Sequence, residues 1–160
     1  MEKKEIIITD GTGKGSTALS AFDSALFAAG IANYNLIRLS SVIPEGFTPK
    51  VEKVDWNSRE YGRRLYLVLA QETARKPGDE AWAGLGWVET TVEPTKGLFV
   101  EHHGKNESEV ADLINRSLTD MVKYRPEEFG PIKSHIVGTK YEDRPSCALV
   151  AALYQVDKWD

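Results

Sequence analysis

Strand-like runs outnumber helical ones by about three to one in this chain, and that imbalance constrains the fold more than any other feature. Only two stretches have helical periodicity. In the first, Ser16 or Thr17 caps a helix that runs to about Gly30, with Leu19, Phe22, Leu26 and Ala29 at helical spacing and Gly30 suited to the C-terminal cap. In the second, Asn106 and Glu109 make a capping-box-like start, and Val110, Leu113, Ile114, Leu118, Met121 and Val122 mark the buried face. Residues 6–9, 35–43, 64–72, 81–91, 97–101, 135–139 and 147–154 read as strands, while 44–63 reads as an irregular surface loop. Helices and strands do not alternate as a doubly wound sheet requires. The expected class is α+β, one domain over 1–160, with each helix covering a sheet face.

Composition narrows the function classes. A chain of 160 residues that is 41% hydrophobic can bury a real core. A net charge of −4 argues against a nucleic-acid surface and gives no basic face for a membrane. No apolar run is long enough to span a bilayer, and the opening MEKKEIIITDGTG lacks the apolar stretch of a secretory signal. With Cys147 alone there is no intrachain disulfide, so the expected compartment is the cytoplasm.

Most motifs have a plain reading. GTGKGST at 11–17 is glycine-rich, yet Lys14 precedes Gly15 where a P-loop needs the reverse, and no glycine completes G-x-G-x-x-G. It reads as a flexible strand-to-helix connection. His102 and His103, adjacent on a strand, face opposite ways and cannot share an ion, so no metal is expected. Cys147 sits in an apolar run and reads as a buried, unreactive thiol. Asp23 borders the apolar stripe of the first helix, either at the waterline or in a pocket. Glu101 closes the strand GLFVE, where a carboxylate held in a pocket would have the raised pKa of a proton donor.

Ser40 and Ser41 stand out by their setting. They interrupt the apolar path of NLIRLSSVIPEG, with Asn35 and Arg38 upstream and Pro44 closing the strand. SAFDSALFAAGIANYNLIRLSSVIP, GLFVEHHG and CALVAALY, in that order, resemble the pyruvoyl-dependent arginine decarboxylases over nearly the whole chain. The resemblance implies a four-layer αββα sandwich and homotrimers, or a multiple of them, of cleaved protomers, with active sites between subunits. It also implies a proenzyme that cuts itself at Ser40–Ser41 into chains 1–40 and 41–160. Ser41 then becomes a covalent pyruvoyl group, with neither PLP nor a metal.

The same resemblance assigns roles. The Ser41 hydroxyl attacks the Ser40 carbonyl to give an ester, and loss of the Ser41 α-proton expels the upstream carboxylate. The dehydroalanine left behind hydrolyses to pyruvoyl and ammonia. Asn35 is the implied oxyanion donor, and Ser40 remains as the new C-terminus, beside the substrate. In turnover, L-arginine forms a Schiff base with the Ser41-derived ketone, loses CO2, is reprotonated by Glu101 and leaves as agmatine. Asp23 pairs with the guanidinium. Ala32 and Tyr34 stand where relatives often carry glycine and a small aliphatic residue, and a tyrosine there narrows a substrate pocket. Two alternatives stay open: a pyruvoyl decarboxylase for another amino acid, and an uncleaved, non-catalytic trimeric homologue.

Overall fold

The computed structural model describes residues 3–160, in which two helices and nine strands form an α+β domain. The strands β1 (Lys4–Lys14), β2 (Asn35–Arg38), β4 (Phe47–Val51), β5 (Arg64–Ala74) and β9 (Ser146–Asp157) make a five-stranded sheet ordered β2-β5-β9-β1-β4. The strands β3 (Val42–Ile43), β6 (Glu80–Glu89), β7 (Gly97–Gly104) and β8 (Lys133–Lys140) make a four-stranded sheet ordered β3-β7-β6-β8.

The glycine-rich stretch is not a connection. β1 continues through it to Lys14, paired with β9 from Ile7↔Leu153 to Lys14↔Ser146. Its glycines have a steric cause. A Cβ on Gly11 would lie 2.3 Å from the Ala25 carbonyl oxygen, and one on Gly13 would lie 2.4 Å from the Ala25 nitrogen. Helix α1 (Ala18–Ala29) therefore rests directly on the strand, backbone to backbone. It does so through the small residues Ala21, Ala25 and Ala29 together with Leu26. This overturns the expected stripe in part: Leu19 is 76% exposed and Phe22 only partly buried. Close approach selects alanine, which the spacing of large apolar residues does not register.

The caps are local and were legible. Thr17 Oγ1 accepts from the Ser20 N–H at 3.0 Å while Ser20 Oγ accepts from the Thr17 N–H at 3.1 Å. Gly30 ends α1 in the left-handed region at φ 82°. Helix α2 (Glu107–Val122) is capped by Asn106, whose Oδ1 accepts from the Glu109 N–H at 2.8 Å. The expected return bond from Glu109 goes instead to the Lys105 N–H, at 3.4 Å.

Burial follows the elements. One cluster packs α1 against Leu65, Leu67, Leu149 and Ala151 of the five-stranded sheet. Another packs Val110, Ile114 and Leu118 of α2 against Val88, Leu98 and Val100 of the four-stranded sheet. A third joins residues of both sheets, among them Ile6, Ile8, Val68, Val150, Leu85 and Phe99. Segment 44–63, read as loop, contributes β4, which pairs in parallel with β1. The turn after β5 crosses between sheets and does not close a hairpin, whereas β6 and β7 pair antiparallel.

The largest correction falls at 35–43. One strand was expected there, and the structure breaks it in two. β2 pairs in parallel with β5 in one sheet; β3 pairs antiparallel with β7 in the other. Ser40 and Ser41 are the crossing.

Candidate active site

At the crossing, the chain is pinned on both sides of one peptide bond. Upstream, the Leu39 N–H donates to the Leu67 carbonyl of β5 at 2.8 Å. Downstream, the Ser41 carbonyl accepts from the Phe99 N–H of β7 at 2.7 Å. The Val42 carbonyl accepts from the Tyr154 hydroxyl of β9 at 2.8 Å. Among the described residues, Ser40 between these anchors makes no backbone hydrogen bond and neither serine hydroxyl has a partner. A peptide bond that bridges two sheets without ladder bonds of its own is free to deform, while its flanks are not.

Glu101 lies two residues beyond Phe99 on β7, opposite Leu85 of β6. It is in the body of the strand, not at its end as the sequence suggested, because β7 runs on to Gly104. Its carboxyl opens onto a cleft of about 580 Å³ lined also by Arg38, Leu39, Phe22 and Leu19. The cleft walls desolvate Glu101 and raise its pKa. A backbone hydrogen bond and the Arg38 guanidinium pull the other way without cancelling the rise. A carboxyl with that bias holds its proton more readily than a surface glutamate. Leu39, two residues before Ser41, lines the cleft; Ser41 itself does not.

The remaining candidates lie elsewhere. Asp23 is exposed on α1, one turn beyond Leu19, and is not part of the cleft wall. Asn35 opens β2 at the end remote from Ser40, and its amide donates to the Gly62 carbonyl at 2.8 Å. Ala32 is fully buried, its N–H bound by Asn57 Oδ1 at 2.9 Å. The Tyr34 hydroxyl donates to Glu60 Oε1 at 3.0 Å; burial and that carboxylate push its pKa up to about 12. Within one chain, then, the Glu101 cleft reaches Arg38 and Leu39, just upstream of the serine pair, while Asp23, Ala32, Tyr34 and Asn35 do not line it.

The histidine pair and Cys147 lie as their places in the sequence suggest. His102 Nε2 meets Ser117 Oγ of α2 at 2.8 Å, and His103 Nδ1 meets Glu72 Oε2 of β5 at 3.3 Å, on opposite faces of β7. Burial lowers the His102 pKa, with a smaller contribution from His103. Cys147 is fully buried, and desolvation pushes its thiol up to about 11. Among the described residues no three His, Cys, Asp or Glu side chains are grouped to hold a metal. Among the described residues no helix is long and apolar enough to cross a membrane. Tyr154 and Phe99 were missed. The only sequence signal for Tyr154 is a polar-tipped aromatic closing the apolar run CALVAALY.

Comparison with known proteins decides the family. The family model for pyruvoyl-dependent arginine decarboxylase matches residues 5–158. The chain belongs to that family. The pyruvoyl-dependent arginine decarboxylase of Thermococcus sibiricus is 31% identical over 151 residues, 94% of each chain. That of Methanopyrus kandleri is 30% identical over 156 residues, covering 94% of this chain and 95% of the relative. That of Halobacterium salinarum is 36% identical over 115 residues, 71% of this chain and 70% of the relative.

The prosthetic group in the family's name fits the residues at the crossing. A serine with a free hydroxyl stands at an unpaired peptide bond, and the carbonyl next to it already receives a backbone donor from Phe99. Phe99 and Tyr154 are the residues that would hold such a group, both acting on the downstream side of Ser41.

Proposed function

We propose that this chain is a carbon–carbon lyase that cuts itself between Ser40 and Ser41 and then converts L-arginine to agmatine and CO2. The observation that carries the reading is the Ser40–Ser41 peptide. It spans the gap between two sheets, held at both flanks, with Glu101 two residues along β7 from the strand position that anchors Ser41.

The chain's own residues divide the work. Anchored flanks keep the Ser41 hydroxyl near the Ser40 carbonyl carbon, which is how proximity lowers the barrier to an intramolecular acyl shift. The products are chains 1–40 and 41–160, and Leu39 stays bound to β5 after the cut. The family's pyruvoyl group, made from Ser41, supplies a ketone that takes the substrate's α-amine and draws off the electrons released with CO2. Glu101, biased toward its protonated form, returns a proton to the substrate Cα. Arg38 offsets the charge that Glu101 would otherwise present to an incoming α-carboxylate.

Arginine's other end needs an anion, and Asp23 is the residue assigned to it. Asp23 is exposed, and neither it nor Asn35, Ala32 or Tyr34 lines the Glu101 cleft of the same chain. The reading therefore requires a second copy to bring these residues to the serine pair, which supports a homotrimer, or a multiple of one, with sites between protomers. The three burial clusters support the layer order α1, five-stranded sheet, four-stranded sheet, α2, an αββα sandwich. We assign the protein to the cytoplasm, where the lone buried Cys147 stays a thiol.

Intact mass spectrometry of the purified protein, followed by CO2 release from carboxyl-labelled arginine, tests the proposal. The expected result is two chains that part after residue 40, the larger one blocked to N-terminal sequencing, with label released as gas. A single unbroken chain overturns the self-processing reading; cleaved protein that releases CO2 from another amino acid but not from arginine overturns the substrate.

A further inference from the structure

Tyr154 sits at an irregularity in β9. Opposite it, Tyr66 pairs with Gln155 and Leu67 with Leu153, so β9 carries one residue that β5 does not match, and that residue is Tyr154. Before the bulge, alternate residues of β9 divide cleanly. Cys147, Leu149, Ala151 and Leu153 pack with α1, and Val150 and Ala152 pack with the four-stranded sheet. Tyr154 follows Ala152 onto the inter-sheet side, but Val156 packs with the α1 side, opposite to what strict alternation demands. An extra residue in a strand locally increases twist and re-aims a side chain. Here it reverses the sides of the residues that follow, while Tyr154 itself keeps the inter-sheet side of Val150 and Ala152 and points across the gap.

What the side chain reaches is specific. Its ring packs against Phe99, centroids 6.3 Å apart, and its hydroxyl donates to the Val42 carbonyl at 2.8 Å. Tyr154 thereby ties the five-stranded sheet to the first residue after Ser41. Phe99 contributes the neighbouring bond, from its N–H to the Ser41 carbonyl. The two carbonyls that follow the crossing are thus each held by a donor, and both donors lie on the downstream side of the cut. Desolvation and the nearby Glu101 carboxylate raise the Tyr154 pKa, so the phenol keeps its donor proton across the working pH range.

We propose that Tyr154 is a positioning residue for self-processing, its bond to the Val42 carbonyl holding Ser41 at the inter-sheet gap. This rests on the self-cleavage reading given above. The assisted step forms the bond from Ser41 Oγ to the Ser40 carbonyl carbon and breaks the Ser40–Ser41 C–N bond. The hydroxyl proton passes to the released nitrogen, and no oxidant or further reactant takes part. Without the Tyr154 bond, Val42 is attached only through a two-residue strand whose edge is otherwise open.

The test compares cleavage time courses of full-length protein on denaturing gels, alongside thermal melting. Tyr154→Phe removes the hydroxyl and keeps the ring; processing should slow by roughly two- to tenfold, the factor one hydrogen bond carries. Leu118→Ala, in the cluster of α2 and away from the crossing, keeps both donors but empties a fully buried site. It should melt lower than Tyr154→Phe and yet cleave at close to the native rate. Cleavage that follows stability, slower in Leu118→Ala than in Tyr154→Phe, overturns the proposal, as does a native rate in Tyr154→Phe. If Tyr154→Phe does not fold, 3,5-difluorotyrosine at 154 keeps the hydroxyl but ionises at lower pH. Glu101 is the charged group whose field reaches that phenol. Processing should then fall as pH rises where the native chain is flat, and an unchanged profile refutes the role. A native chain that never cleaves refutes the underlying reading instead.

Discussion

Glu101 and Asp23 carry separable predictions because the proposed function gives them different atoms to act on. Glu101→Gln should leave self-cleavage intact and lower decarboxylation by about 100-fold or more, the scale of a lost general acid; native turnover in the cleaved variant would remove it from the mechanism. The sign of its pH dependence follows from the raised pKa. A donor works in its protonated form, so activity is full below that pKa and is lost as pH rises through it. Arg38 holds the pKa down against desolvation. Arg38→Gln should therefore move the alkaline limb of the kcat–pH profile to higher pH, and a stationary limb would contradict the assignment. Asp23→Asn should raise KM for arginine sharply while chains 1–40 and 41–160 still form; unchanged arginine kinetics would end its guanidinium role. The sequence marked the serines, Glu101 and the inert Cys147 because each depends on near neighbours. It gave no warning of Tyr154, whose partner, the Val42 carbonyl, lies in the other sheet.

At the scale of the element, the contact between α1 and β1 is governed by atoms that are missing. Gly13→Ala would drive a Cβ to 2.4 Å from the Ala25 nitrogen and 2.5 Å from the Ser24 carbonyl carbon, both backbone, so neither can swing aside. A loss of about 1–3 kcal/mol, read as a lower Tm, is expected for overpacking of this kind. Gly130→Ala, whose Cβ would come no nearer than 3.5 Å to the Glu89 carbonyl oxygen, should melt close to the native chain. Equal effects would mean that the glycines of β1 serve some purpose other than close approach. This contact was misread from sequence as a flexible loop because glycine signals a turn in isolation. Only the helix lying across it reveals that the missing side chains make room. Caps fared better: Thr17, Gly30 and Asn106 act within a few residues, and short-range chemistry is what a sequence displays directly.

Over the whole molecule, polar side chains also meet across the two sheets away from the serine pair: His103 with Glu72, Thr48 with Glu89, and His135 with Asp10. His135 Nε2 of β8 meets Asp10 Oδ2 of β1 at 2.6 Å, and Lys53 Nζ meets Asp10 Oδ1 at 3.1 Å. Burial alone would raise the Asp10 pKa. The hydrogen bonds from His135 and Lys53 and their charges outweigh it and hold the carboxyl below its usual range. A depressed folded-state pKa contributes stability that is present above the unfolded value and is lost as pH falls through the folded one. Asp10→Asn should thus lower Tm near neutrality and converge with the native protein in strong acid; a constant Tm difference across that range would contradict the linkage. The same cross-sheet architecture explains why Asn35, Tyr34 and Asp23 stay apart from Glu101 in one chain. β2 runs away from the crossing along the five-stranded sheet, carrying Asn35 to its far end, and α1 presents Asp23 outward.

By itself the sequence determined the class of fold, both helices with their N-terminal caps, the buried thiol, and the serine pair as an interruption of an apolar path. Periodicity, capping and composition act over a few residues, and each leaves its mark in the order of side chains. Tertiary structure alone decided that 35–43 is two strands in two sheets, that a glycine run is the bed of a helix, and that Tyr154 reaches across to Val42. These depend on which distant backbone supplies the hydrogen-bond partner, and pairing between strands far apart in the chain has no local signature.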